Sequence, residues 1–344
     1  MESKALKIII GLVVVLILAV GIYLIFFVPK GVANLALQVN PAITLTLDAR
    51  NTVIEAEGLD ASGELLLEGL VITGKEISEA LRIITEAMRE TGFLGEERRM
   101  LIALNPIEDR IGQDKLVALT SVVDQTLRGY MMERGLVIEV TSVVLTEELA
   151  DAVRVVGLFP ADYVDVVVEV GAPLALQIVG LQKELGLDQT LFKDEFGTIG
   201  AAIIDMMETG ITGDNSLTII RGALVADPTL EELTTITAAM IDLYEVGATQ
   251  ESIMAAFTLM EEQLVLGVDR TLLLEEFTTI TAAKADMLEA GIPAETALST
   301  LRIALRADPK LEELTTITAA MIDLIEEGLT KEESLARIQA AVQA

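Results

Sequence analysis

The feature that most constrains this chain is an internal repeat. The segment LVADPTLEELTTITAAMIDL begins at Leu224 and returns 81 residues later, from Leu305, as LRADPKLEELTTITAAMIDL, with 18 of 20 positions identical. A shorter pair has the same separation: EFGTIGAAIIDMMETG from Glu195 and EFTTITAAKADMLEAG from Glu276. The Thr-Ile anchors fall at Thr198, Thr235, Thr279 and Thr316. Each unit reads as a helix pair that cannot bury its apolar face alone, so neighbouring units must stack. The fold class expected for residues 195–344 is therefore all-α helical-hairpin repeats, a small solenoid or bundle. Asp227-Pro228 and Asp308-Pro309 predict an N-cap followed by proline at the first helical position. Thr330-Lys331-Glu332-Glu333 predicts a capping box. Gly210, Gly247, Gly291 and Gly328 mark helix ends. Leu314, Ile317, Met321 and Leu324 form an i, i+3, i+7 stripe. The Thr-Thr-Ile-Thr runs read as packing, with hydroxyls bonded back to the preceding turn, and the recurring methionines read as core filler.

The other end of the chain has a different texture. Ile8 to Val28 reads IIIGLVVVLILAVGIYLIFFV, without a charge. At helical rise it would span roughly 31 Å, against about 30 Å of hydrocarbon. A cleaved signal peptide fits less well, because its apolar run is shorter and ends in a small-x-small site. The expectation is a single N-terminal transmembrane helix acting as a signal-anchor. Lys4, Lys7 and the amino terminus precede it and only Lys30 follows closely, so residues 1–7 are expected in the cytoplasm and the remainder outside the cell.

Between these ends the apolar period is two. Leu35, Leu37 and Val39 alternate with Ala36 and Gln38, and Ile43, Leu45 and Leu47 with Thr44, Thr46 and Asp48, predicting two strands around Asn40-Pro41. A third strand is predicted from Thr52 to Glu57. A helix follows from Ser78, with Leu81, Ile84 and Met88 on one face, ending at Gly92. Met100–Leu104 predicts a strand, Leu116 to Tyr130 a long amphipathic helix, and Val137–Val144 another strand. That order predicts an α+β membrane-proximal domain over 29–145, with a helical extension over 146–194.

The run VNPAITLTLDARNTVIEAEGLDASGELLLEGLVITGKEISEALRIITEAMRETGF resembles the membrane-proximal ectodomain of RsgI-type anti-sigma factors. The motif positions are Leu59-Asp60, Gly63, Leu66, Gly69, Gly74-Lys75, Glu79-Ala80 and Gly92-Phe93. Thr146-Glu147-Glu148-Leu149 and Gly157-Leu158-Phe159-Pro160 resemble the end of the same domain, so the likeness covers roughly residues 8–185. Family members carry a sigma-binding domain before the membrane helix, whereas here MESKALK stands in that place. The resemblance accordingly implies an ectodomain of that type and not anti-sigma activity for this chain as given. It also implies self-cleavage at Asn40-Pro41. There the asparagine amide attacks its own carbonyl, and proline, lacking an N–H, blocks the competing backbone attack. Two positions depart from the family: Ala42 stands where serine is usual, and Gln38 where an acid is common. Asn-Pro is also an ordinary turn dipeptide, and Asn105-Pro106 supplies a second copy in the same chain.

Composition narrows the function. The formal net charge of -30 excludes nucleic acid as a partner. With no cysteine and no histidine, disulfides, thiolate chemistry and imidazole acid–base chemistry are excluded. Gly69 to Lys75 starts like a phosphate-binding loop, but Glu76 replaces the required hydroxyl. No cofactor and no metal are expected, and no enzyme acting on other molecules, beyond single-turnover autoproteolysis. The leading expectation is a membrane-anchored extracellular sensor or binding protein of RsgI-like type. Its partners would be the membrane and a protein or polysaccharide ligand. Lack of tryptophan weakens sugar stacking. The alternative is a structural cell-surface or assembly protein, a homo-oligomer without a signalling role.

Overall fold

The computed structural model describes residues 13–16, 29–96, 99–108, 110–308 and 313–342. One expectation is corrected at once. Among the described residues no helix is long and apolar enough to cross a membrane. A crossing needs about 20 consecutive apolar residues. The 22-residue helix Gln113–Arg134 is long enough, but Asp114, Lys115, Asp124, Arg128, Glu133 and Arg134 interrupt it. Of the run 8–28 only residues 13–16 are described, as a helical turn, and the rest lies outside the described residues. The single transmembrane helix therefore has no place in the described fold. The cell-membrane localisation and the inside–outside orientation, which rested on that helix, are not supported by the described residues.

The chain divides into two units. The first runs to Asp151 and takes in Phe159–Val164; the second comprises Ala152–Leu158 and the chain from Asp165 onward.

The first unit is built on β1 (Ala33–Gln38), β2 (Ala42–Leu47), β3 (Val53–Gly58), β4 (Arg99–Pro106) and β5 (Glu139–Val144). Their order in the sheet is β3-β2-β1-β4-β5. β1 is the centre, antiparallel to β2 on one side and to β4 on the other. β4 and β5 run parallel, a geometry that requires a crossover, here α4 (Gln113–Arg134). β3 is an edge strand: Glu55 and Glu57 are exposed on it, while its first residue, Val53, donates its N–H to the Lys75 carbonyl at 2.9 Å and accepts from the Gly74 N–H at 2.7 Å. α1 (Ala61–Leu67), α2 (Ile77–Glu90) and α3 (Phe93–Glu96) lie between β3 and β4 in sequence. Period two fixes the sheet's inward face: Ala33, Leu35 and Leu37 of β1 and Ile43, Leu45 and Leu47 of β2 are fully buried. Leu81, Ile84 and Met88 of α2 and Leu116, Val123 and Leu127 of α4 cover that face in one apolar core. At about 1.5–3 kcal/mol per buried aliphatic side chain, this face supplies most of the driving force for the unit.

After β5 come α5 (Glu147–Val156) and α6 (Pro160–Val170). The second unit continues with α7 (Ala172–Leu185), α8 (Gln189–Glu208), α9 (Gly213–Ala226), α10 (Leu233–Glu245) and α11 (Gln250–Val265). α12 (Arg270–Glu275), α13 (Phe277–Glu289), α14 (Ala294–Ala307), α15 (Leu314–Glu326) and α16 (Lys331–Val342) complete it. The repeat anchors sit on α8, α10, α13 and α15. Their threonines behave as read from the sequence: Thr237, Thr281 and Thr318 donate from the hydroxyl to the carbonyls of Leu233, Phe277 and Leu314, at 2.9, 2.9 and 3.0 Å. The capping box forms, with the Glu333 N–H donating to Thr330 Oγ at 3.3 Å and the Thr330 N–H to Glu333 Oε2 at 3.0 Å. The Asp-Pro expectation fails. Asp227 ends α9 instead of starting a helix, and α10 opens only at Leu233. The Asp227 carboxylate instead accepts from the amides of Thr229 and Glu232, at 3.1 and 2.8 Å, and so folds the connection. Asp308 accepts from the Glu313 amide at 2.7 Å in the same way.

Candidate functional site

β1 and β2 pair from Ala33↔Leu47 to Gln38↔Ala42, which leaves Val39, Asn40 and Pro41 as the hairpin loop. Asn40 sits at φ +120°. Asn51, Glu108 and Leu230 also have positive φ, but at +61°, +47° and +63° they lie in or near the small left-handed basin. Asn40 falls outside that basin, in territory that costs a side-chain-bearing residue about 1–3 kcal/mol.

The surroundings hold it there. Val39 is 7% exposed and Pro41 is buried, so the flanks of the loop are anchored while Asn40 itself faces solvent. The Val39 N–H donates to the Pro41 carbonyl at 3.1 Å, closing the loop tightly. Beyond the proline, both backbone polar groups of Ala42 are engaged by one short segment. Its N–H donates to Asp60 Oδ2 at 3.2 Å, and its carbonyl accepts from the Leu59 N–H at 2.8 Å. Asp60 is also the N-cap of α1, its Oδ1 accepting from Gly63 N–H at 2.6 Å. This approach demands glycine: a Cβ on Gly63 would lie 2.1 Å from the Ala42 carbonyl oxygen, and one on Gly58 2.2 Å from the Glu64 nitrogen. Before the loop, Gln38 Oε1 accepts from the Ala161 N–H at 2.7 Å, at the N-terminus of α6. The residue standing in place of the family's acid therefore caps a helix. Among the described residues no hydrogen bond engages the Asn40 side-chain amide.

The second dipeptide is placed differently. Asn105 and Pro106 lie inside β4, in register with Asn34 and Ala33 of β1. Asn105 is not among the positive-φ residues, and its Nδ2 donates to the Pro106 carbonyl at 3.0 Å.

The two Asn-Pro bonds thus differ: the one at residues 40–41 is strained and the one at residues 105–106 is relaxed. The sequence picked out Asn40 and Pro41 but gave Asp60 and Gly63 no role. The available signal was Asp60 followed by Gly63, an N-cap pattern preceding the apolar Leu65–Leu67.

Other polar features are structural. Glu86 accepts from Arg89 at 2.6 Å, pairs with Arg134 at 3.0 Å and bonds to the Tyr130 hydroxyl. The Arg89 and Tyr130 bonds hold its carboxyl down at about 2. These contacts fasten α2 to α4. Lys284 of α13 is 1% exposed and donates to the Ser252 carbonyl; desolvation pushes it down to about 8. It is enclosed by helices, with Ser252 itself 7% exposed, so the pair is closed to a substrate. Among the described residues no cluster of acidic side chains could hold a metal ion.

Residues 32–166 match the anti-sigma factor RsgI-like central domain. The match begins immediately before β1 and ends within α6, so it takes in the whole sheet, the strained loop and the Asp60 clamp. The chain is also similar to the anti-sigma-I factor RsgI6 of Acetivibrio thermocellus. The two are 32% identical over 73 residues, which is 21% of this chain and 10% of that protein. The chain therefore spans about a tenth of the length of the curated relative it matches. The likeness read from the strand pair and its motif is thus to the RsgI-like type, and the repeats from α8 onward fall outside the matched region.

Proposed function

We propose that this chain is a sensing or binding protein of RsgI-like type whose first hairpin cuts itself once, at Asn40–Pro41. The observation that carries the reading is the φ of +120° at Asn40, next to a buried proline and a clamped Ala42. The amide Nδ2 of Asn40 attacks the backbone carbonyl carbon of the same residue. A bond forms from Nδ2 to that carbon, the bond to the Pro41 nitrogen breaks, and the amide proton ends on the proline nitrogen. The piece ending at residue 40 then carries a cyclic succinimide that water opens. The fixed neighbours hold the reacting groups close, which is the main contribution a loop without an acid–base pair makes.

Cutting would not by itself separate the pieces. β1 stays between β2 and β4, with Leu35 and Leu37 fully buried. Those two side chains alone resist withdrawal by about 1.5–3 kcal/mol each. A pull or a ligand that removes β1 would then be the signal, and the helical repeats are the surface suited to a protein ligand.

Denaturing electrophoresis with intact-mass measurement tests this. The expected result is two pieces, 1–40 and 41–344, that co-migrate under native conditions, and one uncut chain in Asn40→Ala. A purified wild-type chain that remains whole sinks the mechanism.

A further inference from the structure

The outer edge of β3 is covered only at its start. Val53 bonds to Gly74 and Lys75, and among the described residues no backbone bond from outside the sheet ladder engages Ala56 or Gly58. The register shows which groups are left over. The Leu59 N–H donates to the Ala42 carbonyl at 2.8 Å. The same register sets Gly58 opposite Ile43, Glu57 opposite Thr44 and Ala56 opposite Leu45. In an antiparallel ladder, residues alternate between exchanging bonds with the neighbouring strand and turning their N–H and carbonyl away from it. Glu57 therefore bonds to β2, while Ala56 and Gly58 present their backbone groups outward.

The same two residues form one side of an open groove. Its other side is α1, through Ala61, Leu65 and Leu67. Leu65 is 66% exposed and Leu67 half-buried, so this wall is apolar and reachable. Carboxylates surround it. Glu55 and Glu57 project from the face of β3 opposite to Ala56, and Glu64 and Glu68 stand along α1; all four are exposed. Among the described residues none of the four is in an ion pair. At the other edge of the sheet, by contrast, the Arg128 guanidinium already takes the Val140 carbonyl of β5, at 2.6 Å.

We propose that the β3–α1 groove binds an extended segment of a partner protein in which apolar residues alternate with lysine or arginine. The segment adds to the sheet as a further strand, a mode in which main-chain bonds supply affinity and alternate side chains supply specificity. Its residues opposite Ala56 and Gly58 exchange hydrogen bonds with them and turn their apolar side chains onto Leu65 and Leu67. Its residues opposite Glu55 and Glu57 carry the positive charge. A second copy of this chain is a poor occupant. Antiparallel pairing centred on Ala56 would set Glu55 of one copy against Glu57 of the other, and each chain carries a formal charge of -30. The acidic edge therefore repels its own kind and selects a basic strand. The proposal does not depend on cleavage at Asn40–Pro41.

Fluorescence anisotropy on the full-length protein tests this, with a short labelled peptide of alternating valine and lysine as the probe. Its control is the same peptide N-methylated at every valine, which keeps the charge and the side chains but loses the N–H groups that pair with β3. The expected result is saturable binding of the probe and an affinity about tenfold lower for the control. Ala56→Pro deletes one outward N–H and spares the β2 ladder, a place where an edge strand tolerates proline; it should weaken the probe about as much. Glu55→Lys with Glu57→Lys should also weaken it, and keeps the test decisive should circular dichroism show that Ala56→Pro disturbs the sheet. Glu326→Lys with Glu327→Lys, the same change of charge on α15, should leave binding as it was. No binding of the probe, equal affinity for the two peptides, or an equal loss from the charge change on α15 overturns the proposal.

Discussion

Asn40–Pro41 and Asn105–Pro106 are one dipeptide in two settings, both flanking the same central strand. In β4 the asparagine is extended, the proline keeps its place in register opposite Ala33, and the side-chain amide is occupied by the Pro106 carbonyl. In the hairpin the asparagine is forced to φ +120° and its amide has no described partner. The difference comes from residues distant in sequence: Asp60 and Gly63 of the α1 entry fix Ala42 from outside the hairpin. Reactivity in this reading belongs to the contacts around the dipeptide and not to the dipeptide.

That contrast can be broken in several ways. The largest effect is expected from Gly63→Ala. Its new Cβ meets a backbone oxygen that cannot swing away, so overpacking costs about 1–3 kcal/mol and the clamp on Ala42 opens. Urea midpoints should fall and the cut fraction with them. Asn40→Gly should move stability the other way. Glycine tolerates the positive φ, so releasing the strain adds about 1–2 kcal/mol, while the nucleophilic amide is gone and the chain stays whole. A glycine variant no more stable than wild type would show that the loop is not strained. Asp60→Ala removes a helix cap and the Ala42 hydrogen bond together. A loss of about 0.5–2 kcal/mol is expected, with cleavage followed by gel densitometry slowed but not abolished. The smallest effect is that of Asn105→Ala, about 0.5–1.5 kcal/mol for one partly buried hydrogen bond, with cleavage at wild-type rate. Slowed cleavage in that variant would erase the distinction between the two bonds.

Much of the fold was legible because it rests on periodicity. Alternation at Leu35, Leu37, Ile43 and Leu45 marks strands, and the 81-residue repeat marks stacked helices. α1 was missed because Gly63 and Gly69 punctuate a segment of only seven helical residues, where turn signals outweigh propensity. Asp227-Pro228 misled for a related reason. An aspartate before proline caps many helices, but here its carboxylate bridges two amides across a loop before α10 begins. The apolar run 8–28 satisfied every length rule for a membrane span, yet no described helix carries it. At the candidate site the dipeptide could be read and its strain could not. A backbone angle enforced by Asp60 and Gly63 has no local signature.

The central position of β1 has a further consequence. A strand in the middle of a sheet shields two neighbours at once. Were it withdrawn, β2 and β4 would each be left with a naked edge and the core opened between them, a template for pairing with any passing strand. The remaining fragment could neither persist in that form nor easily readmit its partner. Departure would act as a ratchet, and under the proposed function the chain would report an event once.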